Sequence, residues 1–265
     1  MTLLSSMFES RLRFNQDLDT LSIFRVPVWR GDVRQLAIEI SQKPVTSKQV
    51  VTINTAIWMN SRKDAAMAEI MGDAYMVTLD GMPFVQISRL MGVKAIHRVT
   101  GSDLLSEILT KGGAHTTKVA LLGVSPEVLT KLRHLQCQVA AFDLPHVEST
   151  FDLEMLNELA YKVAAFNPDA TFVLLGSPKQ DVVIRHLIKS GICSWFIGAG
   201  AAFDFLLDPS RRAPKIIQRL SLEWIWRLAL EPKRLTTRYL PLILPTFGLA
   251  FTSIYFARIK PLVKQ

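Results

Sequence analysis

The amino-acid sequence predicts an α/β fold with a mostly parallel sheet and helices on both of its faces. Short runs of β-branched and other apolar residues alternate along the chain with segments of helical period. Within those runs polar and apolar residues do not alternate, which is typical of strands that are covered on both faces. Together these observations predict a Rossmann-like core over about residues 20 to 205.

Six strands are expected in this core. In chain order they are QVVTIN (49–54), AYMVTL (74–79), KVALLG (118–123), QVAAFD (138–143), TFVLLG (171–176) and CSWFIG (193–198). Amphipathic stretches such as 153–166 lie between them and predict the covering helices. The chain has 265 residues, of which 49% are hydrophobic and 20% are charged, so it holds enough apolar side chains to fill such a core.

The two cysteines indicate a reducing compartment. Cys137 and Cys193 lie in apolar runs, without a CxxC pair or a histidine cluster beside them. We therefore interpret them as reduced core residues and expect a cytoplasmic protein. Glu9 and Arg11 interrupt the N-terminal stretch where an export signal would need an unbroken apolar segment, so no export signal is expected.

The net charge of +8 is not spread evenly along the chain. Residues 210–265 carry 11 lysines and arginines but only 2 glutamates, whereas residues 1–209 carry 20 basic and 21 acidic side chains. The excess positive charge therefore belongs to a C-terminal appendage, residues 209–265, which follows a core domain of residues 1–208. Such a charge predicts a phosphate-bearing or membrane-surface partner.

The appendage begins as a basic segment of helical period and then loses all charge over residues 239–257. A helix of that length would span about 28 Å, just short of a hydrocarbon core of about 30 Å. Three interpretations stay open: the segment lies on or dips into one leaflet, crosses the bilayer once, or packs against the domain or a second copy. Pro241, Pro245 and Gly248, with basic residues on both sides, favour the first.

Candidate site residues come from the ends of the predicted strands, because ligands of parallel α/β sheets bind outside the carboxyl ends of the strands. In FVLLGSPKQD, residues 172–181, an apolar strand stops at Gly-Ser-Pro, and a cation, an amide and an acid follow. Polar residues and glycines follow the other strands too. The candidates are Thr52, Asn54, Asp80, Gly81, Gly123, Gly176, Ser177, Gln180, Gly200 and Asp204.

Asp80 has two interpretations from its position alone. An aspartate after a strand often caps the next helix by accepting hydrogen bonds from its first backbone N–H groups. Alternatively, a carboxylate exposed in a cleft, within hydrogen-bond reach of a substrate hydroxyl, acts as a general base.

Other motifs give no support to a cofactor or a metal. GAGAAFD at 198–204 has Phe203 where a dinucleotide fingerprint needs its third glycine, and the sequence has no GxxxxGK[ST] segment. Asp17 and Asp19 have the spacing of a cation-binding pair, but they precede any convincing strand, so we interpret them as part of a solvated turn. The five histidines show no metal-ligand spacing. Neither a cofactor nor a metal is therefore expected.

Several motifs, taken together and in order, resemble the WecG/TagA/CpsF family of bacterial glycosyltransferases. They are VTINT, LDGMP, HRVTGSDL, LLGSPKQD, GAGAAFDF and RRAPKIIQRLSLEWIWRLALEPKRLTTRYL, from about Val50 to Leu240. The resemblance implies an inverting, metal-independent enzyme that moves a hexose-type sugar from a UDP-sugar to a sugar carried on undecaprenyl diphosphate. It also implies action at the cytoplasmic face of the inner membrane, in cell-surface or exopolysaccharide biosynthesis, with N-acetylmannosamine, N-acetylmannosaminuronic acid or glucose as the transferred sugar.

The resemblance also implies roles for individual residues. It makes Asp80 the general base, with Thr52 in the same catalytic pocket. With the strand-end positions, it assigns substrate binding to Asn54, Gly81, Arg98, Gly101, Asp103, Gly176, Ser177, Gln180, Gly200 and Asp204. It assigns phosphate binding to Arg212, Arg219, Arg227, Arg234 and Arg238. His97 stands where the family often has an acid, which leaves the donor or acceptor preference open.

Two other functions fit parts of the sequence. A non-catalytic, membrane-bound scaffold would keep a nucleotide-binding fold and release no UDP from any donor. Nucleic-acid binding would use the same basic appendage, but the uncharged segment 239–257 suits lipid rather than a phosphate backbone, so no nucleic acid is expected. The expected partners are the donor, the lipid-linked acceptor and the anionic membrane surface, and a homo-oligomer is left open.

Overall fold

The computed structural model describes most of the region that the sequence predicts to form the core. It describes residues 12–15, 20–23, 25–90, 93, 95–112, 117–131, 135, 137–144, 151–200, 202, 214, 217, 226 and 229. The boundary expected near residue 208 and the uncharged segment 239–257 lie outside the described residues. In the part of the chain that is described, no helix combines the length and apolar character needed to cross a membrane.

A small antiparallel sheet comes first in the chain. Its strands are β1 (Leu12–Asn15), β2 (Thr20–Ile23) and β3 (Val26–Pro27). The expectation that Asp17 and Asp19 precede any convincing strand was therefore wrong, because β1 comes before them. LRFN and TLSI do alternate apolar and polar residues, which is typical of antiparallel strands with one covered face, and a search for fully apolar runs passes over that pattern. Asp17 and Asp19 lie between β1 and β2, outside the described residues.

The main sheet contains the strands that the sequence predicts. They are β4 (Lys48–Ile53), β5 (Met76–Leu79), β6 (Lys118–Leu122), β7 (Gln138–Phe142), β8 (Ala170–Val173) and β9 (Trp195–Gly198). Their order is β5-β4-β9-β8-β6-β7, and each neighbouring pair runs parallel. The predicted parallel α/β sheet is confirmed. Because all six strands point the same way, their carboxyl ends meet at one edge, which we call the ligand edge.

Helices follow the strands along the described chain. They are α1 (Val33–Ile40), α2 (Thr55–Lys63), α3 (Ala65–Gly72), α4 (Met82–Leu90), α5 (Gly101–Glu107), α6 (Leu153–Phe166) and α7 (Lys179–Lys189). A π-helical turn at Ile108–Gly112 continues α5, and a 3-10 helix covers Pro126–Lys131.

Both faces of the main sheet are buried by these helices. On one face, Leu36 of α1 and Leu104 of α5 pack with Phe172 and Ile197 in a single apolar cluster. On the other face, α2, α3 and α4 pack on β4 and β5, while α6 and α7 pack on β6, β8 and β9. Polar and apolar residues do not alternate in these strands because helices cover both faces of the sheet.

The segment after β3 covers the outer edge of β5. Val28 pairs with Val77, and the Trp29 backbone N–H donates to the Val77 carbonyl at 2.8 Å. Ile23 and Val26 are buried in the same apolar cluster as β5. The antiparallel sheet is therefore joined to the main core next to the strand that carries Asp80.

Candidate active site

Backbone hydrogen bonds continue past the strand ends and fix the residues of the ligand edge. The Asp80 N–H donates to the Ile53 carbonyl at 2.9 Å, and the Ala199 N–H donates to the Val173 carbonyl at 2.9 Å. The Leu174 N–H donates to the Leu122 carbonyl at 2.9 Å. The residues that follow β5, β8 and β9 are thereby held by hydrogen bonds to neighbouring strands.

Asp80 is partly exposed at the end of β5. The next residue, Gly81, occupies the cap position of α4, since its carbonyl accepts from the N–H groups of Phe84 at 3.1 Å and Val85 at 3.4 Å. Asp80 thus stands one residue before the helix cap, on a backbone anchored to β4. Whether the Asp80 side chain caps the helix or acts as a general base stays a prediction.

Arg98 is brought to the same strand end by its own backbone. The Val99 N–H donates to the Leu79 carbonyl at 3.1 Å, and the Thr78 hydroxyl donates to the Val99 carbonyl at 3.0 Å. These bonds fasten the Arg98–Thr100 segment beside the end of β5, so a cation lies next to the strand that carries Asp80.

Asp103 connects this segment to α5. Thr100 caps the helix by accepting from the Asp103 N–H at 3.0 Å. The Asp103 carboxylate in turn pairs with the Arg98 guanidinium, with 3.7 Å between Oδ2 and Nη2, and both side chains are about four-fifths buried. The Asp103 carboxylate therefore orients the Arg98 guanidinium.

Gly101 allows the start of α5 to lie directly on the end of β9. A Cβ atom at this position would stand 3.0 Å from the Ala199 Cα and 3.3 Å from the Gly198 carbonyl oxygen. Any side chain would push the two segments apart. The glycine in HRVTGSDL therefore joins the Arg98 segment to the centre of the ligand edge.

Thr52 and Asn54 use their side-chain oxygens within the fold. Thr52 is 4% exposed, and its hydroxyl donates to the Gly198 carbonyl at 3.0 Å. Asn54 caps α2 by accepting from the N–H groups of Ala56 and Ile57, each at 3.0 Å. Both residues lie at the predicted edge, and their direct roles toward substrate remain predictions.

The Gly176–Gln180 loop leaves β8 and starts α7. Gly176 is exposed, with no atom within 4 Å of the place of a Cβ, so a ligand has room to reach the backbone there. Pro178 takes the cap position of α7 and gives it no side-chain cap. The Gly176 and Pro178 carbonyl oxygens accept from the N–H groups of Gln180 at 3.2 Å and Asp181 at 3.0 Å, so this end of the helix offers a ligand the positive end of its dipole.

Gln180 is buried in the centre of the edge, although amides are usually exposed. It is 4% exposed, and a Cβ at Gly198 would lie 2.4 Å from its Nε2 atom. The amide therefore fills the space that glycine leaves on β9. Gly200 follows with a positive φ of 53°, a backbone conformation suited to glycine.

Asp181 is a residue that the sequence analysis did not select. It is 2% exposed, and burial raises the pKa of its carboxyl to about 6, while the side chains of Ser177 and Gln180 partly offset that rise. The signal in the sequence was a charged residue next to the apolar positions Val183 and Ile184 of α7, where a solvated acid is not expected.

Six of the predicted site residues lie outside the part of the chain that the structure describes. They are Asp204, Arg212, Arg219, Arg227, Arg234 and Arg238. Among the residues that are described, no group of three or more His, Cys, Asp or Glu side chains could hold a metal ion.

The fold and this edge define an α/β protein with its site at the carboxyl ends of a parallel sheet, as in nucleotide-binding proteins. At that edge the structure gathers a partly exposed carboxylate, a buttressed arginine and a buried amide. The chain belongs to the glycosyl transferase WecG/TagA/CpsF family, whose family model matches residues 21–260. It is therefore a glycosyltransferase, and its reaction requires a sugar donor and an acceptor. The match confirms the resemblance drawn from the motifs.

Proposed function

We propose that this protein is an inverting, metal-independent glycosyltransferase of cell-surface or exopolysaccharide biosynthesis. It transfers a hexose-type sugar from a UDP-sugar to a sugar carried on undecaprenyl diphosphate. It works at the cytoplasmic face of the inner membrane, attached peripherally or by shallow insertion through the C-terminal appendage. Family membership supports the transferase class, and the excess charge of residues 210–265 supports the anionic surface.

One observation carries the proposal for the site. The Val99–Leu79 hydrogen bond brings Arg98 to the strand end of Asp80, and the Gly101–Ala199 contact joins that strand end to Gln180 through Gly198. Residues from three distant motifs, LDGMP, HRVTGSDL and LLGSPKQD, thereby meet along one edge. A carboxylate, a cation and the positive end of a helix dipole suit transfer from a nucleotide sugar.

In the proposed reaction, Asp80 takes the proton from the attacking hydroxyl of the acceptor. A bond forms between that oxygen and the anomeric carbon while the bond from the anomeric carbon to the UDP oxygen breaks. Because the attack comes from the side opposite the leaving group, a single displacement inverts the configuration. The electron pair leaves with UDP, which departs as an anion.

Charge that develops on the departing diphosphate needs stabilisation. The start of α7 supplies the positive end of a helix dipole. Arg212, Arg219, Arg227, Arg234 and Arg238 of the appendage supply guanidinium groups that match phosphate oxygens. A well-placed donor of this kind is worth about 3 kcal/mol in the transition state.

The test is UDP release by purified full-length protein in detergent, with a lipid-diphosphate-linked sugar acceptor and a panel of UDP-sugars, each with and without EDTA. We expect release that requires both one donor and the acceptor and that survives EDTA. Loss of activity in EDTA, restored by a divalent cation, would overturn metal independence. Silence across the panel from folded protein that still binds UDP would favour the non-catalytic scaffold.

A further inference from the structure

Asp181 is a buried carboxyl to which the proposed reaction gives no task. It lies in the first turn of α7 with 2% of its surface exposed. Its Oδ2 atom is buried and makes no hydrogen bond in the described structure. A buried acid without full hydrogen bonding destabilises a fold, and such groups occur most often where a protein uses them.

Two neighbours of this carboxyl belong to the proposed donor site. The side chains of Ser177 and Gln180 both lower the pKa of Asp181 against the rise caused by burial, as donors beside a carboxylate do. With a pKa of about 6, the carboxyl is ionised at pH 7.5. It then offers its negative charge to a hydroxyl and an amide at the start of α7.

The Ser177 hydroxyl is not held by anything else in the described part of the chain. Its Oγ atom is buried and has no hydrogen bond of normal geometry, although it lies near enough to Asp181 to affect its pKa. The next residue back, Gly176, is exposed and open to a ligand. Ser177 thus stands between the buried carboxyl and the accessible backbone of the loop.

Gln180 is confined from the opposite side. Gly198 packs directly against the Gln180 side chain, because a Cβ atom at Gly198 would lie 2.4 Å from the Gln180 Nε2 atom. A carboxylate beside a side-chain amide accepts a hydrogen bond from the NH2 group of the amide. The amide oxygen then remains to accept from another donor. Asp181 and Gly198 together therefore restrict how the amide faces the ligand edge.

We propose that Asp181 is a positioning residue, which orients the Ser177 hydroxyl and the Gln180 amide toward the UDP part of the donor without touching the donor itself. The inference rests on the proposed function for the identity of the donor. It assigns a task to the acid that ends the sequence FVLLGSPKQD.

The experiment is a double-mutant cycle on UDP binding, measured by isothermal titration calorimetry on full-length protein at pH 7.5. The variants are Asp181→Asn, which keeps the shape of the side chain, Ser177→Ala, and the two combined. We expect each single change to weaken UDP binding about 5- to 10-fold, as loss of one ordinary hydrogen bond does. The combined effect should be clearly smaller than the product of the single effects, because one change acts through the other.

Steady-state kinetics separates positioning from general damage. Asp181→Asn should raise the KM for the UDP-sugar about 5- to 10-fold and leave kcat within about 2-fold, because lost binding common to ground and transition states appears in KM. The matched control is Asp169→Asn. Asp169 accepts a hydrogen bond from the Lys118 N–H at 2.8 Å at the opposite edge of the sheet. This control should lower stability and keep UDP affinity within about 2-fold.

Three results would overturn the role of Asp181: no UDP binding by the wild type, unchanged UDP binding in folded Asp181→Asn, or single effects that multiply independently. If Asp181→Asn does not fold, the test is UDP binding by Ser177→Ala. Unchanged UDP binding by the Ser177→Ala variant would then overturn the proposal. The proposed function fails separately. UDP binding with the expected coupling, but no turnover of any UDP-sugar, would reject the transferase reaction and leave the positioning role intact.

Discussion

At the scale of single residues, Asp80 and Asp181 are two carboxylates on the ligand edge in different surroundings. Asp80 is partly exposed at the end of β5, whereas Asp181 is 2% exposed beneath the loop that starts α7. The partly exposed Asp80 carboxylate is accessible to a bound hydroxyl, whereas the neighbours of the buried Asp181 carboxyl are the side chains of Ser177 and Gln180. We therefore propose separate roles for these two aspartates.

Replacing Asp80 by asparagine should remove the proposed general base and leave the fold intact. Asparagine has the same shape and cannot accept a proton, so we expect kcat to fall about 100- to 1,000-fold, in the range of general-base contributions. The measurement is UDP release in the presence of donor and acceptor, together with the midpoint of thermal unfolding, which should stay close to that of the wild type.

Asp143 supplies the matched control for Asp80. It follows the outer strand β7 at the same edge and is exposed, but nothing places it in the site. Asp143→Asn should keep near-normal turnover. Equal losses in both variants, or near-normal turnover in Asp80→Asn, would remove Asp80 from its role.

Asp181 should also make stability depend on pH. Its pKa is about 6 in the folded protein and 3.8 in its ordinary environment, so the folded state holds the proton more tightly than the unfolded state. Between about pH 4 and 6 the folded state binds more protons, and the stability contributed by this group is lost as pH rises through that window. The full difference is about 3 kcal/mol and is reached above pH 6.

Asp181→Asn has no proton to lose and should cancel this dependence. The free energy of unfolding of the variant, relative to the wild type, should rise between pH 4.5 and 7.5 by about 2 kcal/mol. Urea unfolding at several pH values measures it. A relative stability that stays flat or falls over this window would contradict the assigned pKa shift.

At the scale of elements, close contact between β9 and α7 depends on Gly198. A Cβ there would meet the Gln180 amide at 2.4 Å, and the backbone around it is fixed by the central strands of the sheet. Gly198→Ala should therefore displace Gln180, destabilise the protein by about 1–3 kcal/mol and lower UDP affinity. Urea unfolding and UDP titration measure the two effects.

Gly72 gives the matched glycine control. It ends α3 on the surface, and nothing lies within 4 Å of the place of its Cβ. Gly72→Ala should leave UDP binding unchanged and should not lower stability, because alanine restricts the unfolded chain and suits a helix. If Gly198→Ala is as stable as Gly72→Ala and binds UDP with the same affinity, the close contact between Gly198 and Gln180 is not required.

At the scale of the whole molecule, the basic appendage should determine membrane attachment. Full-length protein should float with vesicles that contain anionic lipid, and it should float less with neutral vesicles or at high salt, because exposed charges are screened. A chain ending at Arg238 keeps most of the basic residues and lacks the uncharged segment 239–257. We expect it to bind anionic vesicles more weakly than the full chain.

The comparison between the full chain and the chain ending at Arg238 distinguishes a lipid partner from a nucleic-acid partner. Equal flotation of both chains would assign attachment to charge alone and remove the apolar segment from it. Tight, salt-sensitive binding of nucleic acid by the chain ending at Arg238, without vesicle binding by the full chain, would contradict a lipid partner.

Much of the fold was predictable from local patterns. All six strands of the main sheet were predicted, because strands covered on both faces must be apolar throughout and so stand out in the sequence. The strands β1 and β2 were missed, since their polar and apolar residues alternate. Asp80 and Gln180 were selected because polar residues at strand ends mark ligand sites in this class of fold, while Asp181 was passed over as a helix residue.

The sequence by itself determined the parallel sheet, the edge that carries the candidate site, the glycosyltransferase family and the confinement of excess charge to residues 210–265. Those properties follow from residue type and order, because periodicity, motif order and charge do not depend on distant contacts. Only the tertiary structure decided the strand order, the seating of Gly101 on β9, the orientation of Arg98 by Asp103 and the burial of Asp181 beside Ser177. The physical reason is that burial and hydrogen bonding between residues far apart in sequence exist only once the sheet has brought them together.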